Sequence, residues 1–266
     1  MIEFHYAVQI CDTASFQNKK RFCGDDRTLL SKKSITSLYE SIKKVASTKA
    51  NTFHSIALIK DRCSAELENF VLDFIKQNVD ANIVFYNFDL PKTGIRNSIE
   101  YCYKWLDKHG KDFVYQIQDD YIFYENCIID ATDMFYKMLN EANTHAIIRT
   151  YNDPHLWAET YRNVATPRAI IMGTNDYWIQ TYDIACTFFT SKSEFSKHWD
   201  MYSKFLDLID AGSKKLEAES LNLIFTKKAV LGLMPIRSLS LHMQTELERD
   251  PYMDWKVLWE SINTQT

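Results

Sequence analysis

Glycine is scarce in this sequence, and long apolar runs are absent. Six of the 266 residues are glycine, well below the usual frequency of about 7%. No stretch approaches the ~18 consecutive apolar residues of a membrane helix. Glu3 and His5 stand where a secretory leader would need a basic and then an apolar segment. We therefore expect no membrane-spanning segment.

The cysteines form no recognisable metal-binding or disulfide pattern. They are widely spaced and include no C-x-x-C pair, at positions 11, 23, 63, 102, 127 and 186. Such spacing is typical of reduced thiols in a cytosolic protein, so we expect a cytoplasmic location. The net charge of −4 also lacks the basic footprint of a protein that binds duplex nucleic acid.

The composition predicts one folded domain over residues 1–266. Hydrophobic residues make up 46% of the chain and charged residues 25%, which suits a single buried core without wholesale disorder. The first half alternates apolar strand-like runs with helical patterns. The predicted strands are 4–11, 53–60, 82–88 and 113–118, and the predicted helices are 31–46, one capped by Ser64, and 98–110.

The second half is less regular. The predicted strands are 145–151, 168–173, 184–190 and 232–243, and the predicted helices are 195–212, 217–232 and one in the tail after Pro251. The β-α-β rhythm of the first half predicts an α/β fold with a Rossmann-like wound, mostly parallel central sheet flanked by helices.

Polar side chains follow the predicted parallel strands. Asp12, Asp61, the loop 91–97 and the adjacent Asp119 and Asp120 all lie at or just beyond strand ends. Ligands bind at this edge of a wound sheet, and paired carboxylates suit a hard divalent cation. In the alternative interpretation, Asp120 caps a helix beginning near Tyr121 and Asp119 lies in solvent.

Four motifs, in order, resemble those of the GT-A-type glycosyltransferases, especially the inverting group with a family-2-like nucleotide-binding half. Gly94-Ile-Arg-Asn97 resembles the Gly-x-Arg-Asn stretch, and Gln118-Asp-Asp120 resembles the Asp-x-Asp motif with Gln in the first acidic position. Glu217-Ala-Glu219 is similar to the late acidic motif, and His242 to the late metal-ligating histidine. The ordered set spans residues 4–245.

The resemblance implies a fold, an activity and a cofactor. It implies a GT-A-like domain whose donor-binding half is 1–125 and acceptor-binding half 126–245, followed by a C-terminal helix in 246–266. The implied activity is metal-dependent transfer of a sugar from a nucleotide-sugar, expected to be UDP-linked, to a hydroxyl of a carbohydrate or other acceptor, with inversion. Mn²⁺ or Mg²⁺ would be held by Asp120 and His242.

The same resemblance implies the residues that bind the donor. Asp119 would contact the metal shell or the sugar–ribose region, and Asp61 would read the nucleotide base. Asp12 and Thr13 would lie against the nucleoside. The side chains of Arg96 and Asn97 would approach the donor. The Arg96 guanidinium is suited to polar or phosphate contacts because its donor groups have a fixed geometry.

For the acceptor side, the resemblance implies a carboxylate base. Glu219 is the first choice, and Glu217 is the second. Aromatic faces stack on sugars, so Trp157 and Trp178, with Asp176 as a hydroxyl partner, are candidate acceptor contacts.

Two other functions compete with this interpretation. A sugar nucleotidyltransferase would also bind a nucleotide and a metal ion. Such enzymes favour a glycine-rich loop after the first strand, whereas Gly24 is the single glycine in residues 11–26. A non-catalytic nucleotide- or carbohydrate-binding protein with a decayed site is the other alternative, because Gln118 departs from the acidic motif. A glycoside hydrolase is disfavoured because no second carboxylate pair of suitable separation is evident.

Overall fold

A computed structural model describes residues 1–13, 21, 23–152, 168–184, 187–228, 230–244, 250 and 252–264. The strands in these ranges are β1 (Ile2–Ile10), β2 (Thr52–Lys60), β3 (Ile83–Asp89), β4 (Phe113–Gln118), β5 (Tyr121–Phe123), β6 (Ala146–Ile148), β7 (Ile170–Met172), β8 (Tyr177–Thr181), β9 (Phe188–Ser191), β10 (Leu231–Pro235) and β11 (Ser240–His242). The helices are α1 (Arg27–Thr48), α2 (Ala65–Gln77), α3 (Ile95–His109), α4 (Cys127–Ala142), α5 (Lys192–Lys197), α6 (Trp199–Asp210), α7 (Leu223–Lys227) and α8 (Trp255–Ser261). Within the described ranges, no helix is both long and apolar enough to cross a bilayer.

The strands build one large sheet and one small ladder. The nine-stranded sheet has the order β3-β2-β1-β4-β9-β6-β10-β8-β7, and β5 pairs with β11 outside it. Only β8 and β9 run against the other strands of the large sheet. The α/β class and the mainly parallel central sheet flanked by helices are therefore confirmed.

The first four strands are parallel and form as the sequence predicts. β1 lies between β2 and β4, with Tyr6 opposite both Ile56 and Tyr115. Alternation along β1 sends Phe4, Tyr6 and Val8 into the core beneath α1, α2 and α4, and Ala7 into the core beneath α3, α5 and α6. Because this half is wound in one direction, the carboxyl ends of β1, β2 and β4 lie at one edge.

The second half corrects several predictions. The strand β8 lies in a segment predicted as a loop, and it acquires its conformation by pairing with both β10 and β7. The predicted helix 195–212 is divided between α5 and α6, because His198 leaves the helical region at φ −108° and ψ 23°. The predicted helix 217–232 is helical only over α7, and turns occupy 216–222. The predicted strand 232–243 is two strands, β10 and β11, joined by a connection.

Two buried histidines make the stability of this fold depend on pH. Burial lowers the pKa of His5 and of His54 from 6.5 to about 4. The ring of His54 contacts the Tyr6 hydroxyl at 3.0 Å and Thr52 Oγ1 at 3.1 Å. Between pH 6.5 and 4 the unfolded chain binds protons that the folded chain does not, so the free energy of unfolding falls as the pH is lowered through this window.

We expect the His54→Gln variant to lose part of that pH dependence, on the order of 2 kcal/mol between pH 7 and 4. Urea unfolding of the wild type and of the His5→Gln, His54→Gln and double variants across this range measures the effect. Parallel stability–pH curves for all four proteins would contradict it.

The last helix is attached to the first by one buried ammonium group. Lys33 Nζ donates hydrogen bonds to the carbonyl oxygens of Trp259 (2.6 Å) and Ile262 (2.7 Å), and it lies 5.0 Å from the centre of the Trp259 ring. Leu258 and Ile262 pack in the same small core as Ile122 of β5. Lys33 therefore satisfies carbonyls at the end of α8 while apolar packing holds the helix in place.

Replacing Lys33 with methionine should keep the apolar stem but leave these two carbonyls without their donor, at a cost of about 1–3 kcal/mol. We expect faster hydrogen exchange of the amides of α8, measured by mass spectrometry. Lys32→Met is the matched control, because Lys32 pairs with Glu66 instead. Equal exchange in the two variants would show that Lys33 does not hold α8.

Candidate active site at the carboxyl edge of the sheet

The site is centred on Asp120, which lies in the turn between β4 and β5. The antiparallel ladder of β5 with β11 pairs Tyr121 with His242, and Met243 N continues it with a 2.8 Å hydrogen bond to the Asp120 carbonyl. This ladder brings together residues more than 120 positions apart in the sequence. Helix capping by Asp120 is excluded, because β5 rather than a helix begins at Tyr121.

The Asp120 carboxylate has one satisfied and one unsatisfied oxygen. Oδ2 accepts a 2.7 Å hydrogen bond from Gln244 Nε2, and it lies 3.5 Å from His242 Nε2 and 3.9 Å from Arg21 Nη2. Oδ1 is buried without a hydrogen-bond partner. Burial alone would raise the pKa of Asp120, but the charge and hydrogen bond of His242, with Gln244 and Arg21, hold the pKa well below its usual range.

Asp120 and His242 supply two candidate ligands for a divalent cation. The Asp120 carboxylate, with Oδ1 unsatisfied, suits Mn²⁺ or Mg²⁺. The His242 imidazole nitrogen, 3.5 Å from Oδ2, suits Mn²⁺ better than Mg²⁺, which prefers oxygen ligands. The Tyr121 ring stacks on the His242 imidazole with centres 4.5 Å apart and planes 2° apart, which fixes the imidazole plane. No group of three His, Cys, Asp or Glu side chains suited to a metal occurs in the part of the chain that the structure describes. The pair therefore fits an ion whose other ligands are substrate oxygens and water.

Asp119 faces the protein rather than the ladder. Its Oδ2 accepts hydrogen bonds from Cys11 N at 2.7 Å and Ser31 Oγ at 2.6 Å. Burial and the adjacent Asp120 charge raise the pKa of Asp119 to about 6, against the lowering effect of those two donors and of Arg27. Asp119 thus connects the ends of β1 and β4 to the first turns of α1.

Asp12 and Asp61 lie at the ends of β1 and β2, as predicted, but both carboxylates have protein partners. Asp12 accepts from Thr28 Oγ1 and from Ser64 N, each at 2.7 Å. Asp61 is 1% exposed, and it binds both Arg62 Nε (3.1 Å) and Arg62 Nη2 (3.0 Å). Both aspartates therefore order the loops at this edge.

The glycine of the Gly-x-Arg-Asn stretch has a backbone role. Gly94 adopts φ +118°, a region that favours glycine, and its N–H donates to Asp61 Oδ1 at 3.0 Å. Thr13 is exposed, and its hydroxyl donates to the carbonyl oxygen of Arg62 at 2.5 Å. The loop after β1 and the start of α3 are thus both joined to the 61–62 segment.

Arg96 and Asn97 lie in the first turn of α3 and make contacts on that helix. Arg96 Nε donates to Asp210 Oδ2 at 3.0 Å, and Nη1 donates to Glu100. Asn97 Nδ2 donates to the Thr93 carbonyl oxygen at 2.9 Å. The Arg96 guanidinium is therefore engaged by two carboxylates, Asp210 and Glu100.

The two glutamates of the late acidic motif differ in environment. Glu219 is exposed, whereas Glu217 is half-buried in the turn before α7. Burial raises the pKa of Glu217, and the nearby Asp183 carboxylate adds to this while Arg149 opposes it. A half-buried carboxyl with a raised pKa has an environment that suits a general base, and Glu217, the second choice from the sequence, has that environment.

The candidate acceptor residues Trp178 and Asp176 differ in how far they are buried. Trp178 is 1% exposed and belongs to the main core, so no ring face is open to a sugar. A Cβ on Gly173 would lie 2.6 Å from its indole nitrogen, which shows how closely the turn packs against it. Asp176 is half-buried in that turn and accepts a hydrogen bond from Tyr177 N at 2.7 Å. Trp157 lies outside the described residues.

Sequence reasoning missed several residues that surround Asp119 and Asp120. Gln244 carried a usable signal, because it is two positions beyond His242 and alternation puts both on one side of β11. Ser31 looked like an ordinary helix residue and Arg27 like the end of a polar loop, yet Arg27 Nη2 donates to the Cys11 carbonyl oxygen at 2.8 Å. Arg149 lies within the predicted strand 145–151, and no local pattern indicates that its guanidinium is buried and paired.

Comparisons with known proteins give no assignment. No family model and no curated protein matches the sequence. Among solved structures, UTP-bound UGPase from Acinetobacter baumannii aligns with a TM-score of 0.47 and 10% identity over 99% of this chain and 100% of its own. Mouse xyloside xylosyltransferase 1 gives 0.41 and 11% over 77% and 72%, and the galactosyltransferase LgtC gives 0.37 and 13% over 78% and 64%. At these values the similarities establish neither a family nor an activity.

Proposed function

We propose that this protein is a glycosyltransferase that moves a sugar from a nucleotide-sugar, UDP-linked, to an acceptor hydroxyl with inversion. The supporting observation is the 3.5 Å contact between Asp120 Oδ2 and His242 Nε2 beside the β5–β11 ladder, with the other carboxylate oxygen of Asp120 unsatisfied. An acidic side chain at the exit of a parallel strand, joined to a late histidine, is the arrangement that the sequence resemblance implies.

In this proposal Asp120 and His242 would hold Mn²⁺ or Mg²⁺. When bound, the ion supplies positive charge that stabilises the diphosphate leaving group. Arg21 and Gln244, which contact Asp120, would move to admit the ion. Asp119 links the ends of β1 and β4 to α1 through its hydrogen bonds with Cys11 and Ser31.

In this proposal, different residues of this chain bind the donor and accept the proton. The carboxyl edge of β1, β2 and β4 binds and orients the nucleotide half of the donor. Glu217, on the opposite side of Arg149, accepts the acceptor hydroxyl proton as the hydroxyl oxygen attacks the anomeric carbon and the bond to the diphosphate breaks. The proton passes to a Glu217 oxygen, and the electron pair of the broken bond leaves with the diphosphate.

One experiment tests the activity directly. Purified protein is incubated with Mn²⁺ and a panel of UDP-, GDP-, CDP- and dTDP-sugars, and release of the nucleoside diphosphate is followed with and without pooled saccharide acceptors. Sugar release or transfer accompanied by nucleoside diphosphate supports the proposal. Release of nucleoside triphosphate on addition of pyrophosphate would instead identify a nucleotidyltransferase, and binding without turnover would identify a non-catalytic protein.

A further inference from the structure

Arg149 is a buried guanidinium at the same edge of the sheet as Asp120. It follows β6 at the carboxyl edge of the sheet and is 1% exposed. Its Nη1 donates a 2.6 Å hydrogen bond to Asp183 Oδ2, and its Cζ lies 4.1 Å from the centre of the Tyr151 ring. Because a buried guanidinium is costly unless it is paired, Asp183 and Arg149 are held together.

Asn222 joins this ion pair to the turn that carries Glu217. Its Nδ2 donates to Asp183 Oδ1 at 2.8 Å, and its Oδ1 accepts from Ile184 N at 2.9 Å. Its main-chain N–H donates to the Glu217 carbonyl oxygen at 2.9 Å. Both oxygens of Asp183 are thus used, and the turn 216–222 is attached to a fixed carboxylate.

The same arginine borders the other half of the site. The Tyr151 ring beneath it lies 4.9 Å from the Tyr121 ring, and Tyr121 stacks on His242. Arg149 therefore lies between the group that contacts Asp120 and the turn that contains Glu217.

The charged groups facing Glu217 come from two neighbouring elements. Asp183, after β8, raises the pKa of Glu217 in addition to burial, and Arg149, after β6, lowers it. The charged residues closest to Glu217 in the sequence are exposed: Lys214, Lys215 and Glu219. The charge environment of Glu217 is therefore set mainly by the Arg149–Asp183 pair.

Building on the proposed function, we propose that Arg149, Asp183 and Asn222 are positioning residues for the transfer reaction. They hold the 216–222 turn and place two opposite charges beside Glu217, so that this carboxylate receives the acceptor proton. None of the three needs to touch the donor or the acceptor.

Opposite shifts in the pH–rate profile test the proposal. Glu217 must be deprotonated to act, so the acidic limb of kcat follows its ionisation. Asp183→Asn removes the negative neighbour, and the limb should move to lower pH with kcat reduced about tenfold or more, at little change in KM for the donor. Arg149→Met removes the positive neighbour and should move the limb to higher pH. Arg149→Lys should restore the position of the limb.

Asp133→Asn is the matched control, because Asp133 also loses a part-buried ion pair, with Lys49, on another part of the fold. The acidic limb of the kcat–pH profile of Asp133→Asn should not move. Limbs that stay in place, or that move in the same direction in Asp183→Asn and Arg149→Met, would overturn the proposal. If Arg149→Met does not fold, the comparison of Asp183→Asn with Arg149→Lys still decides it.

A second readout does not depend on activity. Carboxyl ¹³C NMR of glutamate-labelled protein, with the Glu217 signal assigned from Glu217→Gln, follows its titration in the wild type and in Asp183→Asn. A lower Glu217 pKa in the variant supports the network even if no sugar is transferred, in which case the proposed function alone fails. An unchanged Glu217 titration beside measurable transferase activity would overturn the network alone.

Discussion

Replacing Asp120 with asparagine should reduce sugar transfer by on the order of 10²–10³-fold or more. Asparagine has nearly the same shape and can keep a hydrogen bond with Gln244, but it removes the negative charge that faces His242 and Arg21. It also removes the unsatisfied carboxylate oxygen that we assign to the cation. Initial rates at saturating acceptor, with Mn²⁺ varied, measure the effect.

The same variant should weaken the binding of UDP only when Mn²⁺ is present. Calorimetric titration with UDP, in Mn²⁺ and in EDTA, separates this from a general loss of affinity. Asp73→Asn is the matched control, because Asp73 lies on the exposed face of α2, where it pairs with Lys76. Equal UDP affinity for wild type and Asp120→Asn in Mn²⁺ would remove Asp120 from the cation site.

Replacing Glu217 with glutamine should lower kcat by on the order of 10²–10⁴-fold, with little change in donor affinity, because the amide cannot accept the hydroxyl proton. The affinity for the nucleotide-sugar is measured separately by calorimetry. Loss of both turnover and affinity would assign Glu217 to binding instead.

Glu219→Gln is the matched control for this prediction. Glu219 is two residues away in the same turn but is exposed, so its replacement should leave kcat nearly unchanged. A large loss in Glu219→Gln with normal turnover in Glu217→Gln would exchange the two roles. The 216–222 turn would then have to reorganise when substrate binds.

The donor half of the fold could be predicted from local patterns. In β1 the residues Phe4, Tyr6 and Val8 alternate with Ala7 between two cores, and Ser64 caps α2 through a 3.2 Å hydrogen bond from Leu67 N. Each element carries its own period and its own boundary signals. Winding rules then fix how the pieces pack, and the end of every strand marks the edge where ligands bind.

The acceptor half could not be predicted in the same way. The short strand β8 contains buried Trp178 and Ile179 but no long alternation, and only its partners make it a strand. The strand β9 enters between β4 and β6 with both pairings antiparallel. Pairing between distant segments depends on the assembled sheet, so a sequence window does not contain the necessary information.

For the candidate site, too, some features are local in the sequence and others depend on the tertiary structure. Sequence alone determined which carboxylates end the parallel strands, since Asp12, Asp61 and Asp119–Asp120 follow apolar runs whose direction is fixed by the winding rule. Tertiary structure decided which of them have protein partners. It did so by packing α1 and α2 against Asp12 and Asp119 and by forming the β5–β11 ladder beside Asp120. The physical reason is that strand ends are local properties, whereas burial and charge pairing arise only when distant segments share one low-dielectric environment.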